Sequence, residues 1–128
     1  MKTKIISLVA ILFIVSAFTP IELKIIYSKD VNKMMSGKTK YVILDVRTPA
    51  EFNSGHIKGA INIDITQNDA YSKLDKLDTK AKYIVYCRTQ NRSQVVGNYM
   101  INKGFTEVYK MQDGITGCVA LWHNKLFP

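Results

Sequence analysis

Residues 82–93 read Lys82-Tyr83-Ile84-Val85-Tyr86-Cys87-Arg88-Thr89-Gln90-Asn91-Arg92-Ser93, and this stretch decides the fold. Lys82 to Tyr86 is an apolar, β-rich run of the kind expected of a strand covered on both faces. It leads directly into Cys87. After Arg88 to Asn91 the pattern turns helical, with Val95, Val96, Tyr99 and Met100 on one side and Asn102-Lys103-Gly104 as its stop. Strand, loop and helix in succession form the unit from which parallel sheets are built.

The same alternation extends outward. Upstream, Tyr41 to Val46 (YVILDV) is a second buried-strand run, and Pro49 can open a short helix through Phe52 that ends near Gly55. Ala60-Ile61-Asn62-Ile63 reads as a short strand, and a helix is expected from Ala70 to Leu77 with Tyr71 and Leu74 on one face. Farther back, Lys24 to Tyr27 reads as a strand. Ser28 begins a helix with Val31, Met34 and Met35 at helical spacing and Gly37 as its stop. Downstream, Glu107 to Met111 (EVYKM) is the next strand and Gly114 to Trp122 the last helix. The pattern predicts an α/β fold: an open, mainly parallel sheet of about five strands with helices on both faces. The 128 residues contain no repeat, low-complexity stretch or Pro- or Gly-rich linker, which points to one domain.

In an open parallel sheet, ligands bind beyond the carboxyl ends of the strands. Cys87 is expected there, facing loop N–H groups and the positive end of a helix dipole, with Arg88 and Arg92 nearby. Each of these features favours an anion and lowers a thiol's pKa, so Cys87 is the candidate nucleophile. An inert cysteine at a strand end is the competing reading. The two arginines and the strand–loop–helix setting favour chemistry over it.

Residues 87–93 also resemble the active-site loop of rhodanese-like domains. Leu44-Asp45-Val46-Arg47-Thr48-Pro49-Ala50-Glu51-Phe52 and Gly55-His56-Ile57-Lys58-Gly59-Ala60-Ile61-Asn62-Ile63 are similar to that family's other two signatures, in the same order. Lys103-Gly104-Phe105 with Val108, and Asp113-Gly114-Ile115-Thr116-Gly117, resemble its C-terminal pattern. The resemblance implies a rhodanese-like domain over residues 24–126. It also implies a sulfurtransferase in which Cys87 takes sulfane sulfur from a small anionic donor such as thiosulfate. The resulting persulfide hands that sulfur to a thiophilic acceptor, cyanide or a thiol. Substrate binding falls to Arg88, Thr89, Gln90, Asn91 and Arg92, with bracing of the loop through a carboxylate as the alternative for Arg92. An ionised thiol needs no general base, and neither a metal nor an organic cofactor is implied.

Loop length bears on the chemistry. Cys87 and Arg92 form C-x4-R, whereas the related phosphatase loop has C-x5-R, the extra residue making room for a tetrahedral phosphate. Gln90 stands where many family loops have glycine, which predicts either strain or a different curl of the loop. Cys118 stands where the family often has tryptophan. It reads as a small buried apolar residue, with a resolving thiol or a Cys87–Cys118 disulfide as alternatives. Asp45, Arg47 and Glu51 read as structural support, tying the first long strand's end to its following loop by ion pairing. His56 reads as a turn or packing residue, and Gly55 and Gly59 as answers to backbone demands.

The net charge of +8 comes from lysines spread along the chain without interleaved aromatic residues, which argues against nucleic acid. Lys2 and Lys4, the apolar run Ile5 to Val15, and Ser16-Ala17-Phe18 have the grammar of a secretory signal over residues 1–17, with cleavage after Ala17. The run is shorter than the roughly 20 residues a spanning helix needs, so no stable membrane anchor is expected. The protein is expected to be exported, periplasmic or extracellular, with tethering by an uncleaved signal as the alternative. Two rival functions are a catalytically weak sulfur-carrier or partner-binding module, and a redox protein using both thiols.

Overall fold

The computed structural model describes residues 19–121; the candidate signal, Trp122 and the residues after it lie outside the described part. The elements are β1 (Lys24–Ile26), α1 (Ser28–Ser36), β2 (Val42–Asp45), α2 (Pro49–Ser54), β3 (Ile61–Asn62), α3 (Ala70–Leu74), β4 (Lys82–Tyr86), α4 (Asn91–Asn102), β5 (Glu107–Met111) and α5 (Gly114–Leu121). All five strands pair in parallel in one open sheet, in the order β1-β5-β4-β2-β3.

The long strands alternate their side chains between two cores, as a pleated strand covered on both faces must. On β4, Tyr83 and Val85 face one core, with Val96 and Met100 of α4 and Ala70 and Leu74 of α3. Ile84 and Tyr86 face the other, with Val31 of α1 and Ile115 and Cys118 of α5. Helices therefore cover both faces of the sheet.

Several elements depart from the sequence reading. β3 is two residues long rather than four, and α3 ends at Leu74. On α3 the buried pair is Ala70 and Leu74, while Tyr71 lies outward against the Tyr99 ring. Met35 and Val95 are likewise exposed, because each helix turns only a narrow stripe inward.

The strand order positions the site. From β2 the chain runs outward to β3, and from β4 it runs the opposite way to β5. The chain thus leaves β2 and β4 toward opposite edges at the carboxyl end of the sheet, where folds of this class have their binding crevice. A buried ion pair fixes one side of that crevice. Asp45 is 0% exposed and Arg47 4%, and Arg47 Nη2 donates to Asp45 Oδ2 at 2.7 Å while Nε donates to Oδ1 at 3.0 Å. The same guanidinium donates to the Gly55 carbonyl at 2.6 Å, holding the end of α2. Asn62 Nδ2 donates to the Asp45 and Arg47 carbonyls at 3.0 and 2.9 Å. Gly55 and Gly59 have φ of 151° and 82°, so both glycines meet the backbone demand expected of them.

Removing one partner of such a pair strands the other charge in a dry site, which costs far more than the pair contributes. Asp45→Ala is therefore expected to lose about 3–5 kcal/mol in urea unfolding, and Asp45→Leu combined with Arg47→Met to recover most of it. A loss below about 1 kcal/mol for Asp45→Ala would show that the pair does not hold this corner.

Candidate active site

β4 delivers Cys87 into the crevice. Asp45 and Tyr86 are register partners, and Val46 N donates to the Tyr86 carbonyl at 3.1 Å, so the chain leaves both strands side by side. The Tyr86 ring is buried on the opposite face, where its hydroxyl accepts from Ile57 N at 3.1 Å. Burial, with the Asp45 carboxylate beside it, raises the phenol's pKa well above the ordinary value and keeps Tyr86 neutral.

Cys87 is 1% exposed and sits on the α4 side of the sheet. Its Sγ lies 3.4 Å from Ser93 Oγ, and that hydroxyl donates to the Gln90 carbonyl at 3.0 Å. The thiol donates to Ser93 when protonated. Once it is ionised, a turn of the Ser93 rotor offers the sulfur a donor instead. No side chain caps α4, so its first N–H groups are available to an anion in the loop.

Of the residues assigned to substrate, Arg88, Thr89, Gln90 and Asn91 form the exposed rim of the loop that follows Cys87. Arg92 does not point to solvent as a free cation. Its Nη1 and Nη2 each donate to a Glu51 carboxylate oxygen at 2.7 Å, a bidentate clamp between α4 and α2. Glu51 also accepts from Thr48 N at 3.1 Å and from Thr48 Oγ1 at 3.0 Å, completing a capping box at the start of α2. The expected Asp45, Arg47 and Glu51 trio is thus divided. Asp45 and Arg47 pair with each other, while Glu51 braces the Cys87 loop through Arg92.

The backbone at Gln90 has φ −147° and ψ −22°, so it does not take the left-handed conformation that would favour glycine there. The Gln90 side chain accepts from Gln112 Nε2. Below the loop, α5 presses its N-terminus against it: Ile115 N donates to the Cys87 carbonyl at 2.9 Å and Thr116 N to the Arg88 carbonyl at 3.4 Å. Gly114 has φ 57°, and a Cβ there would collide with the carbonyl oxygens of Arg88 and Thr89. Only glycine fits that contact. Ser93, Gln112 and Gly114 had no assigned role in the sequence reading. Ser93 was within reach of it, since it closes the quoted loop one residue after Arg92.

Cys118 is fully buried in the other core, with its Sγ 3.7 Å from Met111 Sδ. Burial, helped by the nearby Asp113 charge, pushes its thiol up to about 12. Both cysteines are free, and they belong to cores on opposite faces of the sheet. Cys118 is the small buried apolar residue expected, and the resolving-thiol and disulfide alternatives are not supported. His56 stacks on the Phe52 ring at 3.7 Å, a packing residue as expected.

The Glu51 clamp has a pH signature. The Arg92 guanidinium, aided by the Thr48 donors and opposed by partial burial, pulls the Glu51 carboxyl from 4.5 to about 2. A carboxylate lowered on folding stabilises fully above its unfolded pKa and ceases to as pH falls through its folded one. Glu51→Gln is expected to cost about 1 kcal/mol at pH 7. In urea titrations this difference should shrink between pH 4.5 and 2 and vanish below that window. A pH-independent difference would mean that the clamp acts by packing alone.

The model of the rhodanese-like domain family matches residues 28–121. Over 87 residues the chain is 34% identical to the thiosulfate sulfurtransferase GlpE of Pseudomonas fluorescens, covering 68% of this chain and 73% of that one. It is also 34% identical over 98 residues to the tRNA uridine(34) hydroxylase of Buchnera aphidicola, covering 73% of this chain but only 30% of that protein. Among solved structures, a rhodanese-related protein of Thermoplasma volcanium superposes with a TM-score of 0.66 at 29% identity, covering 76% of this chain and 91% of the other. With the parallel sheet and the cysteine loop in place, these likenesses settle the family, and this chain belongs to the rhodanese-like domain proteins.

Proposed function

We propose that the protein is a sulfurtransferase that carries sulfane sulfur on Cys87. The observation that supports this most is the setting of the sulfur. Cys87 directly follows the central strand β4, faces the Ser93 hydroxyl, and opens a C-x4-R loop whose arginine is clamped in place. The name of the Pseudomonas relative supports thiosulfate as the donor to try first.

In the first half-reaction the Cys87 thiolate attacks the outer sulfur of thiosulfate. A Cys–S–S bond forms, the sulfur–sulfur bond of thiosulfate breaks, and sulfite leaves with the bonding pair. In the second, cyanide or a thiolate attacks the terminal sulfur. Cyanide departs as thiocyanate, and the Cys87 thiolate returns. Charge balances in both steps, and no proton has to move, in keeping with an ionised nucleophile. Arg88, on the exposed rim, is the cation available to an arriving dianion, since Arg92 is held by Glu51. The basic start and apolar run within residues 1–17 support export, with the chemistry taking place outside the cytoplasm.

Intact mass spectrometry of the reduced, desalted protein after thiosulfate exposure tests the reading. Wild type is expected to gain one sulfur, about 32 Da, that cyanide discharges as thiocyanate, and Cys87→Ser is expected to gain none. Absence of the adduct in reduced wild type would exclude thiosulfate and move the assignment to another sulfur source or to a binding role.

A further inference from the structure

β5 brings a second charge to the Cys87 pocket. Val108 lies in the α4-side core and Met111 in the opposite one, so the alternation turns Lys110 toward α4. Its Nζ donates to Gln94 Oε1 at 2.7 Å, and Gln94 follows Ser93, the residue that meets the Cys87 sulfur. Val85 and Lys110 are register partners, and Cys87 lies two residues beyond Val85 on the same face. Neighbouring strands are about 4.8 Å apart and two residues advance about 6.6 Å, a gap that a lysine's four-carbon stem can span.

Lys110 is 3% exposed. A buried ammonium is costly without a counter-charge, and among the described residues no carboxylate pairs with it. Four carboxylates of the sheet and its loops are engaged elsewhere. Glu51 holds Arg92, Asp45 holds Arg47, Asp64 accepts from Thr66 and Gln67, and Glu107 on the same strand takes Lys24 and Lys82. Of the nearby cations, Arg92 and Arg47 are neutralised by their partners and Arg88 is exposed to screening solvent. Burial lowers the Lys110 pKa, and the charge of the Cys87 sulfur opposes that shift.

We propose that the missing counter-charge is the Cys87 sulfur: the buried Lys110 ammonium holds the thiolate, and then the terminal sulfur of the persulfide, in its anionic form. Lys110 is a positioning residue for charge, acting from below the loop on the reacting atom. The persulfide half of this statement rests on sulfur transfer at Cys87, and the thiolate half does not.

The test is the pH profile of Cys87 alkylation by iodoacetamide, a neutral reagent, followed by peptide mass mapping in wild type, K110M, K110Q and K110R. An opposite charge within about 4–6 Å moves a pKa by about one unit or more. The inflection is therefore expected to rise by about one pH unit in K110M and K110Q, with alkylation below it slowed roughly tenfold, and to stay near wild type in K110R. K110Q keeps a polar group for Gln94 and decides the matter if K110M does not fold. Folded K110M or K110Q with an unmoved inflection overturns the charge pair. Thiosulfate loading measured on the same samples separates the two readings. Loading with an unmoved profile overturns the charge pair alone, whereas a shifted profile without loading upholds it at the thiolate and excludes thiosulfate as the donor.

Discussion

Asp45 and Arg47 form a buried ion pair two residues apart, at the point where β2 must release the chain into α2. The guanidinium reaches on to the Gly55 carbonyl, and Asn62 ties the backbone of both partners to β3. One arginine thus joins a central strand, the end of a helix and the edge strand. The arrangement offsets desolvation through the hydrogen bonds that Nε and Nη2 of the guanidinium make to both carboxylate oxygens and to the Gly55 carbonyl. With this corner fixed, α2 presents Glu51 toward the neighbouring loop, and Glu51 in turn seats Arg92. The geometry around Cys87 is therefore inherited from a contact on a different strand.

The basic residues of the site divide their labour by burial. Arg47 and Arg92 are planar forks used for bidentate holding, where their charge is balanced by a carboxylate and little of it projects outward. Arg88 stays on the rim. Lys110, a compact charge on a flexible stem, is buried on the α4 side of the sheet, with no carboxylate paired to it among the described residues. In C-x4-R the arginine is the eye-catching cation, yet here its charge is largely spent on Glu51.

The strands that carry the site were legible because β2 and β4 are covered on both faces and so appear as unbroken apolar runs. Cys87 was legible from its place between such a run and a helix. Partners distant in sequence were not. Glu51 lies 41 residues from Arg92 and reads locally as a helix-cap residue, which it also is. Lys110 was invisible for another reason: in EVYKM it sits at an ordinary alternating position, and only the sheet order, with β5 between β1 and β4, places that position inside. Gln90 misled because a glycine pattern implies left-handed backbone, whereas this loop follows another path, with the Gln90 side chain tied to Gln112. Tyr71 misled because a five-residue helix is too short for its periodicity to choose between neighbouring faces.

The placement of the two cysteines bears on how long a loaded sulfur would last. Cys87 and Cys118 occupy opposite faces, with the sheet as a septum between them, and the Cys118 thiol stays protonated at neutral pH. The chain has no third cysteine. A persulfide on Cys87 would therefore have no internal partner able to collapse it into a disulfide and expel the cargo as sulfide. Its lifetime would be set from outside, by whichever acceptor reaches the rim, so the molecule could hold sulfur in reserve and release it on encounter.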